Sequence, residues 1–154
     1  MSIDPKIYLC MDNAFAAKRW TRPEEWARVI AGLGIRHVEA SADTEADPFY
    51  CGEEYLRDWL GELRGASAAH GVRVENFYTG YTTYRTLGLA HPDARVRERV
   101  VEGWLKVMAR IAARVPAGLG FYLHAFGEAV LQDPGAYQAT KARLYEELAG
   151  VGRY

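Results

Sequence analysis

The sequence lacks the long apolar runs and the charge excess that mark membrane and nucleic-acid-binding proteins. No segment approaches the ~18 consecutive apolar residues that a membrane-spanning helix needs. Nineteen Lys and Arg residues against twenty Asp and Glu residues give a formal net charge of −1. This balance provides no strong attraction to nucleic acid or to an anionic membrane. We therefore expect small molecules or another protein chain as partners.

Cysteine is also scarce, with Cys10 and Cys51 far apart and without the CxxC spacing of zinc or redox sites. We expect both to be free thiols that are packed or half-exposed. Residues 1–12 lack the basic-then-apolar layout of a secretory signal. A reducing cytoplasm is therefore the expected compartment.

The 154 residues are enough for one compact domain with a sizeable core. Along the chain, short β-branched or aromatic segments alternate four times with longer segments of helical periodicity. The pattern predicts strands near residues 6–11, 35–40, 72–78 and 119–126. The apolar run Ile7 to Met11 is typical of a strand that is buried on both faces.

The four intervening segments carry apolar residues at helical spacing and recognisable end signals. Thr21 with Pro23 and Glu24 predicts the start of the first helix, and Asp93 and Asp133 predict caps for the last two. Glycines at 34 and 71 predict left-handed ends for the first two helices. The predicted buried faces are Trp26, Val29, Ile30 and Leu33; Leu56, Trp59, Leu60 and Leu63; Val96, Val100, Trp104, Val107, Met108 and Ile111; and Tyr137, Leu144, Tyr145 and Leu148.

Strands that alternate with helices at this spacing imply a parallel sheet with right-handed crossovers. An open doubly wound sheet and a piece of a (βα)8 barrel both fit the pattern. The doubly wound signature is a glycine-rich turn after the first strand, where phosphate binds. Residues 12–16 contain no glycine, which disfavours that alternative.

Three stretches resemble the xylose-isomerase-like TIM barrels, the sugar and sugar-phosphate isomerases and epimerases. They are residues 26–39 (WARVIAGLGIRHVE), residues 91–100 (HPDARVRERV), and LQDP at 131–134 with YEEL at 145–148. The resemblance covers nearly the whole chain. It implies a parallel (βα)4 unit over residues 1–154, similar to the first half of a (βα)8 barrel.

The resemblance also implies an activity, proton transfer through an enediolate on a small ketose or aldose. Members of the family hold a divalent metal such as Mn, Mg or Zn with two glutamates, an aspartate and a histidine from the later strands. The chain ends before those strands, and a full barrel takes ~250 residues. We therefore expect no cofactor and no tight metal site in this chain, and it looks truncated before the metal ligands.

In a barrel, the active face lies at the carboxyl ends of the strands. The substrate-binding candidates at these positions are Asp12, Asn13, Glu39, Tyr78, Tyr81 and His124, with Ser41 and Asp43 nearby. Carboxylates and amides bind sugar hydroxyl groups, and aromatic rings cover the apolar side of a sugar. Asp12 is the strongest candidate, because a carboxylate directly after a buried strand is costly unless it is used or paired. No catalytic residue is assigned.

Each candidate also has a structural interpretation. Glu39 and Glu75 fit ion-paired structural carboxylates, His124 fits a core histidine, and the tyrosines fit plain packing. His37, His70 and His91 lie at element ends, where solvation or capping is the simpler role. The tryptophans lie on apolar helix faces and are expected in the core.

Two functions remain open from the sequence. The first is a sugar or sugar-phosphate isomerase or epimerase, with an inosose-dehydratase-like lyase as a variant in the same fold. The second is a non-catalytic half-barrel that serves in assembly. Because half a barrel leaves edge strands and an inner face uncovered, we expect a homodimer or association with a second half-barrel. Tyr8, Phe121, Tyr122 and Phe126 are the predicted apolar residues of that inner face.

Overall fold

The computed structural model describes residues 7–42, 44–78, 85–122 and 126–151, and within them four parallel strands form one sheet. The strands are β1 Cys10–Asp12, β2 His37–Ser41, β3 Arg73–Tyr78 and β4 Gly118–Gly120. Their order is β1-β2-β3-β4, and each neighbouring pair is parallel. The predicted strand order and the half-barrel architecture are confirmed. The paired parts of β1 and β4 are only three residues long, shorter than predicted.

Helices alternate with the strands along the chain, and the longer ones pack on one face of the sheet. They are α1 Pro23–Gly32, α2 Pro48–His70, α3 Ala94–Val100, α4 Lys106–Arg114, α5 Glu128–Gln132 and α6 Pro134–Val151. A π-helical turn, Val101–Leu105, joins α3 to α4, and short 3-10 segments span Asn13–Ala16 and Gly88–Ala90. No helix among the described residues is long and apolar enough to cross a membrane.

Most helix ends follow the predicted signals. Asp93 and Asp133 accept hydrogen bonds from the backbone N–H groups of Arg95 (2.9 Å) and Gly135 (2.8 Å). Gly34 and Gly71 have φ angles of +78° and +62°, the left-handed conformation in which glycine costs least. The predicted cap of α1 is wrong, because the cap position is occupied by Arg22, which makes no side-chain capping bond. Thr21 lies one residue too early for that role.

The core lies between the helices and what we call the outer face of the sheet. Val38, Ala40, Val74 and Phe77 are the buried strand residues of this face. The largest fully buried helix residues that cover them are Trp26, Ile30, Leu56, Leu60, Leu63, Trp104, Leu105 and Met108. Burial of this many large apolar side chains is the main source of stability in a domain of this size.

Three predicted core positions are exposed instead. Leu33 (61 % exposed) follows the last residue of α1, and Val96 (38 %) lies in the first turn of α3. Tyr145 (60 %) is one residue, and therefore about 100° of helix rotation, away from the buried Leu144. Apolar spacing predicted the helices correctly but not how far each buried stripe extends.

The prediction that Ile7 to Met11 is buried on both faces is wrong. Ile7 is 88 % and Leu9 74 % exposed, whereas Met11 packs against the core. Tyr8 stacks on the ring of His37, with 4.5 Å between ring centroids. Since side chains alternate along an extended chain, Ile7 and Leu9 point to the same face as Met11. Both residues precede the paired part of β1, Cys10–Asp12, which is an edge strand of the sheet.

Candidate functional site

The face of the sheet opposite the helices, here called the inner face, carries polar side chains at the carboxyl ends of the strands. The Tyr78 hydroxyl, at the end of β3, donates a hydrogen bond to Oδ2 of Asp12 at the end of β1 (2.9 Å). Oδ1 of Asp12 accepts from the backbone N–H of Ala14 (2.7 Å). The Asp12–Tyr78 contact therefore spans β2, which lies between the two strands.

A second contact joins the two central strands. The side-chain amide of Asn76 on β3 donates to Oε1 of Glu39 on β2 at 2.9 Å. Asp12 and Glu39 are direct neighbours in the β1–β2 register. The two carboxylates, the amide and the phenol thus form one cluster of four side chains, which we call the polar wall.

An irregularity in the sheet brings Asn76 into this cluster. Val38 pairs with Val74, but the next residue, Glu39, pairs with Asn76, so one extra residue is inserted in β3. Without this β-bulge, strict alternation from Val74 would place Asn76 on the outer face. The bulge instead leaves Asn76 on the inner face and Phe77 on the outer face, where it contacts Trp59.

Two glycines in β4 provide the space that Asn76 occupies. A Cβ atom at Gly118 would lie 2.9 Å from Oδ1 of Asn76, and one at Gly120 would lie 2.9 Å from its Nδ2. Such contacts are shorter than real side chains tolerate, so any larger residue would displace the amide. The absence of side chains at these two positions of β4 therefore leaves room for the Asn76 amide beside Glu39.

Asn13 lies beside the polar wall but is fully buried. Its Oδ1 accepts a hydrogen bond from the backbone N–H of Ser41 at 2.7 Å, which ties the turn after β1 to the end of β2. Its Nδ2 has no hydrogen-bond partner in the described part of the chain. The substrate-binding role of Asn13 stays a prediction, since this amide is covered by protein in the present conformation.

A second group of polar residues lies one layer closer to the amino ends of the strands. Nδ1 of His37 is 2.7 Å from Oε1 of Glu75, and the guanidinium of Arg73 is 3.1 Å from the same oxygen. Glu75 is thus an ion-paired carboxylate, as its structural interpretation predicts. Cys10 lies near these carboxylates, and burial followed by the charges of Glu39, Glu75 and Asp12 raises the pKa of its thiol.

The phenol of Tyr78 is held in its neutral form. Its hydrogen bond to Asp12, and secondarily its partial burial, raise its pKa from about 10 to about 12. The negative charges of Asp12 and Glu39 act in the same direction. At neutral pH, Tyr78 is therefore a hydrogen-bond donor that orients Asp12, rather than a base.

The structure brings together three of the predicted residues, Asp12, Glu39 and Tyr78, and sequence reasoning missed the fourth member of the wall. The signal for Asn76 was weak, because Asn76 lies within a strand rather than after it. Tyr81 and His124, together with Asp43, fall outside the described residues. Among the described residues, no group of three or more His, Cys, Asp or Glu side chains is placed to hold a metal ion.

The predicted aromatic residues of the inner face divide between the two faces. Tyr122 is 53 % exposed and lies close enough to Tyr78 to contribute to the raised pKa of that phenol, which indicates the inner side. Phe121 and Phe126 instead pack against the hydrophobic core, which corrects the prediction for both. In the alternation along the chain, Leu119 and Phe121 share the outer face, and Gly118, Gly120 and Tyr122 share the inner one.

Taken together, the polar wall offers carboxylate acceptors held in place by neutral donors. Both carboxylates retain lone pairs beyond those that Tyr78, Ala14 and Asn76 engage. A ligand with several hydroxyl groups, such as a sugar, would satisfy these positions, and Tyr122 offers an aromatic surface nearby. The class that the fold defines is a (βα)4 half of a TIM barrel whose polar residues lie at the carboxyl ends of its strands.

Solved structures of sugar isomerases and epimerases share this fold. A candidate xylose isomerase from Rhodospirillum rubrum superposes with a TM-score of 0.84 at 20 % identity, over 96 % of this chain and 50 % of that one. D-psicose 3-epimerase from Clostridium cellulolyticum, solved with D-tagatose, gives 0.67 at 14 % identity over 96 % and 48 %. A xylose isomerase domain protein from Planctomyces limnophilus gives 0.57 at 18 % identity over 96 % and 53 %.

The present chain spans about half the length of each of these structures. At such low identities the similarity establishes the fold, and it agrees with the resemblance seen in the sequence. No protein-family model and no curated protein matches the sequence.

Proposed function

We propose that the polar wall is the sugar-binding surface of an isomerase or epimerase that acts on a small ketose or aldose. The observation that carries the proposal is the cluster of Asp12, Glu39, Asn76 and Tyr78 at the carboxyl edge of the sheet. That edge is where barrel enzymes bind substrate. Support comes from two structural neighbours that are D-psicose 3-epimerases, one solved with D-tagatose and one in the presence of D-fructose.

In this proposal the four residues have separate tasks. Asp12 and Glu39 accept hydrogen bonds from sugar hydroxyl groups, while Tyr78 and Asn76 hold the two carboxylates in position. The reaction itself needs a base at the carbon next to the carbonyl and a metal ion or a hydrogen-bond donor at the enediolate oxygen. The described residues do not form a metal site. The proposal therefore concerns sugar binding, and none of its steps passes through a metal.

A binding assay tests the proposal on the chain itself. Titration calorimetry or ligand-observed NMR with D-tagatose, D-fructose and a phosphorylated ketose measures whether free or phosphorylated sugars bind. We expect Asp12→Asn and Asn76→Leu to weaken binding about tenfold each, which corresponds to about 1.4 kcal/mol. Asp12→Asn removes the charge of an acceptor for sugar hydroxyl groups, and Asn76→Leu removes the hydrogen bond that positions the other acceptor, Glu39. Glu62→Gln is the matched control, since Glu62 is an exposed carboxylate that pairs with Arg22 on the helical side.

Two further measurements accompany the titration. Isomerase assays on a ketose panel test for turnover, and metal analysis after manganese loading and gel filtration tests for a bound ion. We expect no tightly retained metal. Absence of sugar binding in wild-type protein, or equal binding by all three variants, would contradict the proposed function. We place the activity in the cytoplasm as part of the same proposal.

A non-catalytic assembly role is the second candidate. The exposed apolar residues Ile7 and Leu9 at the β1 edge favour it, because such residues usually mark a contact surface. Self-association without any sugar binding would favour this role over the first.

A further inference from the structure

One edge of the sheet exposes protruding apolar side chains, and the other edge exposes an apolar groove. At the β1 edge, Ile7 and Leu9 protrude from the outer face with 88 % and 74 % of their surface exposed. At the β4 edge, the outer face carries an open groove of about 400 Å³. Its lining residues come from α4, β4, α6 and the segments on either side of β4, and all are apolar: Ala109, Ala112, Ala113, Ala117, Leu119, Phe121, Leu148 and Val151.

The geometry of the sheet makes these two edges complementary. All four strands run in the same direction, so a strand placed beside β4 in the parallel sense would continue the sheet. The edge strand β1 of a second copy has this direction when the second copy is rotated about the axis of the barrel. Its outer-face side chains would then lie on the same side as Leu119 and Phe121, next to α6.

From this complementarity we propose that the chain self-associates through its edges, with Ile7 and Leu9 of one copy packed at the α4–β4–α6 groove of another. Two such contacts close a dimer, because each copy contributes one edge and one groove. A stable interface removes about 800 Å² from each partner, so each contact needs to bury about 400 Å² per copy. At the β1 edge, Ile7 and Leu9 are the large exposed apolar side chains that would supply this area.

Charge favours the same arrangement. Neither Ile7 to Met11 nor the groove lining contains a charged residue, so closing the contact buries no unpaired charge. The formal charge of −1 per chain gives little repulsion between copies. The polar walls of both copies would face the same interior.

Sedimentation velocity at micromolar concentrations tests the association with two single variants. Leu9→Lys places a charge on the protruding edge, and Ala113→Glu places one in the groove at an exposed helical position where it does not disturb the core. We expect each variant alone to shift the population from dimer to monomer by at least about tenfold in Kd. Leu131→Lys is the control, because Leu131 is also an exposed leucine (60 %, against 74 % for Leu9) but lies on α5, and its replacement should leave the dimer intact.

Mixing the two variants makes the test specific. In a mixed dimer, Lys at 9 of one copy meets Glu at 113 of the other, and the second contact is unaltered, so the dimer should return. Circular dichroism of each variant checks that it is folded. A monomeric wild-type chain, or a mixture that stays monomeric while both variants are folded, would overturn the proposal. Equal loss of dimer in Leu131→Lys would also overturn it.

Discussion

The two faces of the sheet contrast sharply in what their side chains do. The outer face contributes Val38, Ala40, Val74 and Phe77 to a closed apolar core, and each is at most 4 % exposed. The inner face contributes the polar wall, whose members are partly exposed and bonded across strands. Adjacent residues of one strand, Phe77 and Tyr78, belong to opposite faces. The contrast indicates that the outer face provides the stability of the fold, and the proposed ligand site lies on the inner face.

Among the substitutions that test this contrast, Phe77→Ala is expected to have the largest effect on stability. Phe77 is fully buried against Trp59, with 6.4 Å between ring centroids, so truncation removes a large apolar surface and leaves a cavity. We expect the free energy of unfolding to fall by about 3–5 kcal/mol, measured by urea denaturation. Phe77→Leu is the matched variant and should retain most of the stability. A loss below about 1 kcal/mol for Phe77→Ala would contradict the division between the faces.

An intermediate effect is expected from Gly120→Ala. The new Cβ would lie 2.9 Å from Nδ2 of Asn76, the atom that donates to Glu39, so the amide must move and this hydrogen bond is lost. We expect a loss of about 1–2 kcal/mol in unfolding free energy, together with weaker sugar binding. Gly65→Ala on α2, where a Cβ meets no atom within 4 Å, is the control. It should gain about 0.5–1 kcal/mol from helix propensity.

If Gly120→Ala binds sugar as the wild type does, Asn76 does not position the wall. If Gly65→Ala destabilises by the same amount, the effect of Gly120→Ala belongs to glycine replacement in general and not to the polar wall.

The smallest effect, and the one that depends on pH, is expected from Tyr78→Phe. The pKa of Tyr78 is raised to about 12 in the folded chain, so folding favours the protonated phenol. Its stabilising contribution is complete below pH 10 and is lost as pH rises through about 12. We expect Tyr78→Phe to cost about 1 kcal/mol at pH 7, reduced from the full shift because the group is partly solvated.

The wild type should converge with Tyr78→Phe as the pH rises from 10 towards 12, measured as the difference between their denaturation midpoints. Other basic groups titrate in this range in both proteins and cancel in that difference. A constant difference across this interval would mean that the Tyr78–Asp12 hydrogen bond does not contribute to stability.

Most of the framework could be predicted because it depends on local patterns. Apolar residues at helical spacing identified the buried faces of α1, α2 and α4, and Asp93, Asp133, Gly34 and Gly71 marked ends by their own side-chain or backbone chemistry. The wrong predictions of buried helix residues have one cause in common. Leu33, Val96 and Tyr145 fit the helical pattern, but each lies where no neighbour covers it, and a pattern within one element contains no information about its neighbours.

The polar wall also shows that a pattern within one element does not predict contacts between elements. Asp12, Glu39 and Tyr78 were predicted because they lie at or near the ends of predicted strands, where parallel topology gathers side chains at one edge. Asn76 was missed because its face depends on a bulge, which exists only when β3 pairs with β2. The need for glycine in β4 comes from the nearby Asn76 amide, and Asn76 lies more than forty residues away in sequence.

The sequence by itself determined that strands and helices alternate, that the sheet is parallel, and which carboxylates stand at its carboxyl edge. The spacing of apolar residues and the signals that begin and end helices depend on residues close together in sequence, so both can be seen before the chain folds. Only the tertiary structure decided that Asn76 joins Glu39, that Tyr78 reaches Asp12 across β2, and that Ile7 and Leu9 are exposed. Each of these depends on the register between strands, because a shift of one residue exchanges the two faces of a sheet.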